Sequence, residues 1–268
     1  MEKEKALEKL ELLRQLFKEH KNCLVAFSGG VDSALLLAVA HEVLSSSCLA
    51  ITATSSLHPE RELKGALRFV KERKIRHKVL KESELDKSIF LPNTKERCYH
   101  CKKSMLEKLT EIALAEGIEL VVEGSNFSDE KAYRPGKKAV TELAVRSPLS
   151  KVGLSKEEIR YLAKEVYSLA EAQKPSMPCL ATRFPYGSPI TSEGLQQVDK
   201  VEQFLLQAGY INFRGRHHGE ILRLEIDRQD FPRFMTETRE KFVAMAKAQG
   251  FKYVTLDLMG FRSGSMDE

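Results

Sequence analysis

The stretch SGGVDS, residues 28–33, follows a short apolar run and governs how the first part of the chain is organised. Its two glycines let the backbone approach a phosphate, because no Cβ stands in the way. Apolar residues at helical spacing from Asp32 to Leu44 predict a helix directly after the loop, whose free amides and positive dipole end face the same place. Ser28 and Ser33 can add hydroxyl donors, and Asp32 can hold a magnesium ion that bridges phosphate oxygens. The stretch therefore predicts an anion-binding turn between a strand and a helix.

Two other phosphate-binding loops do not fit this stretch. It lacks the lysine and the longer spacing of the GxxxxGK[ST] loop, and it lacks the GxGxxG pattern of dinucleotide-binding folds. A glycine-rich turn that merely joins a strand to a helix is the alternative, although the flanking strand, the helix and both serines argue against it. The loop alone therefore leaves the identity of the anion open.

Strand and helix patterns alternate through the first 150 residues. The predicted helices lie at 32–44, 60–73 and 103–116. Short apolar or alternating runs predict five strands, at 24–28, 49–54, 76–80, 118–125 and 145–150. Repeated βα units favour a parallel sheet with helices on both faces, so we expect an α/β fold with a five-stranded parallel sheet.

The second half of the chain changes character at a Pro-rich segment. A capping box at 155–158 predicts a helix that runs to about Tyr167. Residues 174–190 contain four prolines and can form neither a regular helix nor a central strand. Helix, strand, strand, helix and strand patterns follow. We therefore expect an α/β domain over 1–173, a Pro-rich cysteine loop over 174–190 and a small α+β domain over 191–268.

Composition and charge limit the classes of protein to which this chain can belong. The chain has 268 residues, of which 42% are hydrophobic and 30% charged, and its formal net charge is +5. No apolar run reaches the ~20 residues that a membrane-spanning helix needs, and the charged amphipathic N-terminus has no signal-peptide core. We expect a cytoplasmic protein with no membrane partner. The net charge is too small to indicate nucleic-acid binding.

The five cysteines form two groups. Cys23 and Cys48 lie in or beside apolar strand patterns, which favours a core role. Cys98, Cys101 and Cys179 fall in polar or Pro-rich segments predicted as loops, and three interpretations stay open for them. They can hold a structural zinc ion with a histidine as the fourth ligand, carry sulfur as a persulfide or disulfide, or bind a [4Fe–4S] cluster with one open iron. The absence of a second CxxC disfavours a zinc ribbon.

SGGVDS resembles in full the SGGxDS loop of the ATP-pyrophosphatase (PP-loop) superfamily, which has an adenine nucleotide alpha hydrolase-like fold. These enzymes cleave ATP between its α and β phosphates, adenylylate a substrate oxygen and let a nucleophile displace AMP. The resemblance implies that the loop holds the leaving pyrophosphate and that Asp32 holds Mg²⁺. In such folds ligands bind at the carboxyl ends of the strands. The expected ATP contacts are Ala26, Ser28, Gly29, Gly30, Val31, Asp32, Ser33, Thr52, Thr54, Gly124, Ser125, Asn126 and Asp129.

Longer segments, spread over essentially the whole chain, resemble the LarE family. They are KPSMPCLATRFPYGSPIT (174–191), YRPG (133–136), VRSPLSKVGLSKEEIR (145–160), FRGRHHGEILRLEI (213–226) and LDLMGFRSGS (256–265). Family members are ATP-dependent sulfur transferases that help to make the nickel-pincer cofactor of lactate racemase. They adenylylate the carboxylates of a pyridinium-3,5-dicarboxylate mononucleotide and convert them to thiocarboxylates. The resemblance implies the same small-molecule nucleotide substrate and a homo-oligomer.

The resemblance also assigns a sulfur site. Some members sacrifice the sulfur of a single cysteine, whereas others carry a [4Fe–4S] cluster on three cysteines. Cys98, Cys101 and Cys179 make this chain resemble the second kind, with sulfur coming from sulfide, from a persulfide carrier or from Cys179 itself. A basic pocket is expected near this site. Its residues are Arg183, Arg214, Arg216 and Glu202. The chain departs from the family pattern at Ala172-Gln173, where Trp-Asp is expected, and at Thr182, where serine is common.

Three alternative functions are weaker. A tRNA thiolase of the same superfamily is the closest, but such enzymes generally carry RNA-binding or zinc-ribbon modules, and none is visible here. An amide-forming synthetase that uses ammonia leaves the three loop cysteines unexplained. A nucleotide-binding module without catalysis would not need an intact SGGVDS with its acidic residue. The sequence therefore predicts a sulfur transferase that uses ATP, Mg²⁺ and a [4Fe–4S] cluster and that acts on a small molecule.

Overall fold

The computed structural model of the chain describes residues 2–81, 93–131, 135–175 and 177–266. Contacts divide these residues into two compact units, one made of 2–81, 96–131 and 135–175 and the other of 93–95 and 177–266. The first unit holds an all-parallel sheet with helices, which confirms the predicted α/β class. The domain boundaries expected at 173 and 190 stay a prediction. None of the described helices is long and apolar enough to cross a membrane.

The first unit alternates strands and helices. Its strands are β1 (Cys23–Ala26), β2 (Cys48–Thr54), β3 (Arg76–Lys81) and β4 (Val121–Val122). Its helices are α1 (Glu2–Lys18), α2 (Val31–Leu44), α3 (Glu60–Glu72), α4 (Arg97–Ala115), α5 (Gly136–Glu142), α6 (Pro148–Lys151) and α7 (Lys156–Tyr161). The strands pair in parallel in the order β3-β2-β1-β4. The segments that follow β1, β2 and β4 therefore start at one edge of the sheet.

Helices cover both faces of this sheet because successive strand side chains point in opposite directions. In β1, Cys23 and Val25 join an apolar cluster with residues of α1, α2, α3 and α7. Leu24 joins the other cluster, which includes residues of α4 and α5. A strand buried on both faces is apolar throughout, and this explains the continuous run that precedes the SGGVDS loop.

Cys23 and Cys48 fill the core, as predicted. They are register partners on β1 and β2, both are fully buried, and their Sγ atoms lie 3.6 Å apart. The hydrogen bond with Cys48, together with burial, raises the pKa of the Cys23 thiol far above its ordinary value. The Cys23 sulfur therefore stays a protonated, unreactive thiol in the folded sheet.

The fifth predicted strand, at 145–150, is reduced to a single parallel bridge between Val122 and Arg146. The reason lies in Pro148, which has no N–H to donate to a sheet and instead begins α6. The fourth predicted strand is also shorter than expected, since β4 has two residues. Within the described residues the parallel sheet therefore has four strands rather than five.

Helix α4 begins earlier than predicted, at Arg97 instead of 103. Cys98 and Cys101 thus lie in the first turn and a half of a helix and not in a loop. No glycine or proline interrupts residues 97–102, and the half-buried Tyr99 packs against the same apolar cluster as Leu106. Tertiary packing therefore extends the helix through a stretch whose polar composition suggested a loop.

The second unit contains a mixed three-stranded sheet. Its strands are β5 (Phe213–His218), β6 (Ile221–Ile226) and β7 (Tyr253–Leu256), and its helices are α8 (Ser192–Gln207), α9 (Phe231–Arg233) and α10 (Arg239–Ala248). β5 and β6 form an antiparallel hairpin, and β7 pairs in parallel with β6. Aromatic and aliphatic side chains together form the core of this unit, and several of the buried residues are aromatic. They are Tyr210, Phe213, Phe234, Phe242 and Phe251.

The Pro-rich segment of the second unit is anchored by Asn93. The Asn93 side-chain amide donates to the carbonyl oxygens of Pro185 and Ser188, each at 2.8 Å. The Gly187 N–H donates to the Asn93 carbonyl at 3.1 Å. Cys179 comes just before a short 3₁₀ turn, Leu180–Arg183, in the same segment.

Candidate active site

Hydrogen bonds of the Ser33 side chain connect the end of the SGGVDS loop to its beginning. The Ser33 hydroxyl donates to the Gly30 carbonyl at 3.0 Å and accepts from the Ser28 N–H at 3.2 Å. Gly29 has a φ of +76°, which L side chains rarely adopt, and a Cβ there would lie 3.3 Å from the Cβ of Ala66. The conformation therefore requires glycine at 29 and sets the loop amides at the N-terminus of α2, where an anion is favoured.

The segment after β4 lies directly against the start of α2. A Cβ at Gly124 would lie 3.0 Å from the Ser33 nitrogen and 3.2 Å from the Ser33 Cα. A larger residue would have to displace backbone, because no flexible side chain is there to yield. This close approach brings residues 124–126 beside the SGGVDS loop.

Asp32, the expected magnesium ligand, contacts Asn126 and Lys156 in the described part of the chain. The Asn126 side-chain amide donates to Asp32 Oδ1 at 3.1 Å, and Lys156 Nζ forms an ion pair with Asp32 Oδ2. Asn126 and Asp129 bond reciprocally, since the Asp129 N–H donates to Asn126 Oδ1 at 3.2 Å and the Asn126 N–H donates to Asp129 Oδ2 at 3.3 Å. The structure thus brings together three of the expected ATP contacts and adds a lysine that the sequence did not suggest.

A second lysine that the sequence did not suggest contacts the backbone of the loop. Lys174 Nζ donates to the Gly29 carbonyl at 3.2 Å and pairs with Glu62 at 2.7 Å. Lys174 therefore holds the glycine in place from a residue 145 positions away. No local pattern at 174 announces this contact.

A pocket opens at the carboxyl ends of β1 and β2, and its lining includes Ala26, Ser28, Thr52 and Thr54. The empty space within it, about 560 Å³, includes open solvent at its mouth. The Thr52 hydroxyl lies 3.0 Å from His77 Nε2. Burial lowers the pKa of His77, so its imidazole is neutral near pH 7 and can share a hydrogen bond with Thr52.

Ser125 is engaged by a buried carboxylate. The Ser125 hydroxyl donates to Glu123 at 2.8 Å and its N–H donates to Glu123 at 3.1 Å. Lys102 Nζ pairs with the same carboxylate at 2.8 Å, and the Ser147 hydroxyl also donates to it. Burial alone would raise the pKa of Glu123, but the Lys102 charge and the hydroxyl donors outweigh it and hold that pKa below its ordinary value. Glu123 is therefore an anion that ties the sheet edge to α4.

Two of the three expected cluster ligands lie on α4. Cys98 is exposed and Cys101 is half-buried. Residues three apart on a helix are neighbours, so the two thiols can act together. Thiolates are the ligands that iron–sulfur clusters use, and the pair fits such a group chemically. Among the described residues no group of three or more His, Cys, Asp or Glu side chains is arranged to hold a metal ion, so the cluster stays a prediction.

In the second unit, Arg183 is fully buried and commits its guanidinium to the protein. Its Nε and Nη2 each donate to the Glu202 carboxylate at 2.7 Å, and both side chains are completely buried. Its Nη1 donates to the carbonyls of Pro178, at 3.0 Å, and Cys179, at 3.3 Å. Arg183 therefore holds the backbone around the half-buried Cys179.

Arg216 has a different environment. Its Nη2 donates to Glu225 and to the Ser265 hydroxyl, at 2.8 and 2.9 Å, and its Nη1 donates to the Thr182 carbonyl at 2.9 Å. Its Nε is buried and has no hydrogen-bond partner among the described residues. A buried donor without a partner is unfavourable, so this atom is suited to an anion.

Arg214 lies two residues away on the same face of β5. Its guanidinium carbon is 5.0 Å from the centre of the Phe261 ring. Burial, followed by the positive charge of Arg183, lowers the pKa of Arg214 to about 10. Three arginines, at 183, 214 and 216, face two buried glutamates, Glu202 and Glu225. The cluster thus keeps a positive charge that a phosphate could neutralise.

Comparison with known proteins identifies the relatives of this chain. No protein-family model matches it. It is 40% identical over 261 residues to an uncharacterized protein of Synechocystis, covering 97% of each chain, and 32% identical over 260 residues to one of Methanocaldococcus jannaschii, covering 96% of this chain and 98% of that protein. It is also 33% identical over 252 residues to the pyridinium-3,5-bisthiocarboxylic acid mononucleotide synthase of Lactiplantibacillus plantarum, covering 94% of this chain and 91% of that enzyme. The chain therefore belongs to the LarE family, the family of that synthase.

Proposed function

We propose that this protein is an ATP-dependent sulfur transferase in nickel-pincer cofactor biosynthesis. It would convert the two carboxylates of pyridinium-3,5-dicarboxylate mononucleotide to thiocarboxylates. The observation that carries this proposal is the similarity to the Lactiplantibacillus plantarum synthase over 94% of the chain. The shape of the SGGVDS loop and the charge of the arginine cluster support it.

The first step would be adenylylation of the substrate. A carboxylate oxygen attacks the α-phosphorus of ATP, the bond from that phosphorus to the bridging oxygen breaks, and the electron pair leaves with pyrophosphate. The SGGVDS amides and the N-terminus of α2 would bind the leaving pyrophosphate. Asp32 would hold the Mg²⁺ that accompanies ATP, and the pocket beside Thr52 and Thr54 would take the adenosine.

The second step would be attack by sulfur on the acyl carbon, with AMP as the leaving group. A carboxylate resists nucleophiles until it is activated, whereas a thiolate or sulfide is a strong nucleophile at neutral pH. Arg214 and Arg216 would bind the phosphate of the mononucleotide. Arg183 would fix the backbone around Cys179.

Three cysteines would hold the [4Fe–4S] cluster, namely Cys98, Cys101 and Cys179. When bound, the cluster would supply a labile sulfide for the transfer. Without it, Cys179 itself would be the sulfur source. We also propose that the protein works as a homo-oligomer in the cytoplasm, as expected from the family resemblance.

One assay tests the reaction. Anaerobically purified protein is mixed with ATP, Mg²⁺, sulfide and the dicarboxylate mononucleotide, and the products are analysed by mass spectrometry. We expect AMP and a substrate whose carboxylate oxygen has been replaced by sulfur. AMP formation that depends on added tRNA would instead assign the protein to the tRNA thiolases. Iron and acid-labile sulfide in the purified protein would support the cluster, and one zinc ion without iron would contradict it.

A further inference from the structure

The segment 257–266, which follows β7, turns back along the sheet of the second unit. The Gly260 N–H donates to the Asp257 carbonyl at 2.9 Å, and Gly260 has a φ of +73°, a conformation that favours glycine. The Phe261 N–H then donates to the carbonyl of Ile226, the last residue of β6, at 2.8 Å. The segment is therefore anchored to the end of β6 before it continues.

Basic side chains of β5 and β6 contact this segment. The guanidinium carbon of Arg214 lies 5.0 Å from the centre of the Phe261 ring, and Arg223 Nη2 donates to Met266 Sδ at 3.2 Å. Arg216 is two residues from Arg214 on β5 and is the register partner of Arg223 on β6, so the three arginines share one face of the sheet. The segment therefore lies against a basic face.

Ser265, which is 8% exposed, connects two buried charges on that face. Its hydroxyl donates to Glu225 Oε1 at 2.6 Å and accepts from Arg216 Nη2 at 2.9 Å. Arg216 Nη2 also donates to Glu225 Oε2 at 2.8 Å, and Arg216 Nη1 donates to the Thr182 carbonyl at 2.9 Å. Both hydrogens of Nη2 and one of Nη1 are therefore committed to the protein.

These contacts fix the direction of the remaining Nε–H of Arg216, because a guanidinium group is planar. That Nε is buried and has no hydrogen-bond partner in the described part of the chain. We propose that Ser265 is a positioning residue for the substrate, which holds the Arg216 guanidinium in the orientation that binds a phosphate monoester. The inference rests on the proposed function, in which Arg214 and Arg216 bind the phosphate of the mononucleotide.

The buried carboxylate of Glu225 explains why the hydroxyl matters. Alanine at 265 would remove a hydrogen-bond donor from Glu225 Oε1, and a buried acceptor that loses its donor is unfavourable. Arg216 would turn toward that oxygen, because it is the adjacent negative charge and charge-assisted hydrogen bonds are strong. The guanidinium would then have to reorient before it could bind a phosphate, so the affinity for the phosphate would fall.

The test compares Ser265→Ala with Ser263→Ala, a change of the same kind at an exposed position of the same segment. Two compounds are titrated by calorimetry, namely pyridinium-3,5-dicarboxylate mononucleotide and the corresponding nucleoside, which lacks the phosphate. The ratio of the two affinities measures the contribution of the phosphate. We expect Ser265→Ala to lower this ratio about 5- to 10-fold and Ser263→Ala to match the wild type.

A second measurement separates positioning from a merely structural role. In the thiocarboxylation assay, Ser265→Ala should raise the KM for the mononucleotide by a similar factor, while kcat and the KM for ATP stay near the wild-type values. An unchanged affinity ratio, or an equal loss of affinity for the mononucleotide, the nucleoside and ATP, would overturn the role of Ser265. A wild-type protein that binds neither the mononucleotide nor the nucleoside would overturn the proposed function itself and this inference with it, which is a different result.

Discussion

Arg183 binds the backbone around Cys179, and its side chain is fully buried. Its five-donor guanidinium is divided between the Glu202 carboxylate and backbone carbonyls at 178 and 179. The family resemblance implies that Arg183 and Glu202 belong to a basic pocket near the sulfur site, and this stays a prediction. Their contacts suit them to hold the backbone that carries the Cys179 thiol.

Glu202→Gln should destabilise the second unit strongly. The change would leave the Arg183 guanidinium buried beside a neutral amide, and breaking a fully buried ion pair costs about 3–5 kcal/mol. Urea unfolding followed by hydrogen exchange in β5 measures the loss. Glu237→Gln is the control, since Glu237 and Arg233 are 3.9 Å apart and 69% and 40% exposed, and such pairs contribute about 0–1 kcal/mol. Equal losses in both variants would contradict this view.

Gly29→Ala should weaken pyrophosphate binding, and Gly153→Ala should not. The two glycines have similar φ values, +76° and +73°, so alanine should cost each about 1–2 kcal/mol in backbone strain. Only Gly29 has a neighbour within 3.4 Å of the added Cβ, at Ala66, whereas no atom lies within 4 Å at Gly153. Thermal unfolding and pyrophosphate titration of the two variants check this. Similar binding by both would show that the loop tolerates the contact with Ala66.

At the scale of elements, the buried carboxylate of Glu123 links α4 to the edge of the sheet. Glu123, just after β4, joins Lys102 of α4 to the hydroxyls of Ser125 and Ser147. Lys102 follows Cys101 directly. The orientation of Cys98 and Cys101 at the start of α4 is therefore coupled to the end of β4, and the residues that follow β4 lie beside the SGGVDS loop.

Glu123→Gln should lower stability at neutral pH by about 1.5–3 kcal/mol, since it removes a hydrogen bond to a charged group and leaves Lys102 without its counter-ion. The folded state lowers the pKa of Glu123, so its contribution is full above the ordinary glutamate pKa and is lost as the pH falls through the lowered value. The difference from wild type should therefore shrink in acid. Melting temperatures between neutral pH and the acid transition measure it, and a pH-independent difference would contradict the assignment.

Strands β1 to β3 could be predicted because each is a short run with strand periodicity between helical patterns. Residues 98–101 are predicted as a loop because Cys98, His100 and Cys101 give no apolar period. The helix that forms there depends on the packing of Tyr99. The segment 145–150 was predicted as a strand from its apolar residues, and Pro148 turns it into a helix.

Some residues of the candidate site could likewise be predicted from the sequence, and others could not. The SGGVDS loop and its glycines are local features, so the sequence alone could suggest them. Lys156, Lys174 and Glu123 were missed because their roles arise from contacts between distant segments, as with Lys174 and Gly29. A lysine or glutamate on a helix or at a strand end looks like surface charge until the fold shows its partner.

At the scale of the whole molecule, the two units are interleaved along the sequence. Residues 93–95 belong with the second unit, although the chain returns to the first unit at 96 and leaves it only at 177. The fully buried Asn93 bonds to both sides of the turn at 185–188. The second unit therefore includes a piece from the middle of the first unit's sequence, and residues 177–266 alone would lack it.

Asn93→Ala in the full chain should loosen the Pro-rich segment. The carbonyls of Pro185 and Ser188 would lose their donor, at about 1–3 kcal/mol for buried groups left unsatisfied. Alanine would also have to adopt a φ of 40°. Faster hydrogen exchange of the Gly187 and Ser188 amides is the expected readout. Asn212→Ala is the control in the same unit, because Asn212 bonds to Asp227 at 2.9 Å and should leave those amides unchanged.

Cys23 and Cys48 can serve as an internal reference when the thiols of this protein are counted by alkylation, because both are fully buried. An alkylating reagent applied to the native protein after removal of any cluster should label Cys98, Cys101 and Cys179, which are exposed or half-buried, and should spare the two in the sheet. Denaturant should then add two labels. A preparation in which Cys179 has been spent would yield one label fewer before denaturation and the same two afterwards. The ratio of the two counts would report sulfur consumption independently of protein concentration.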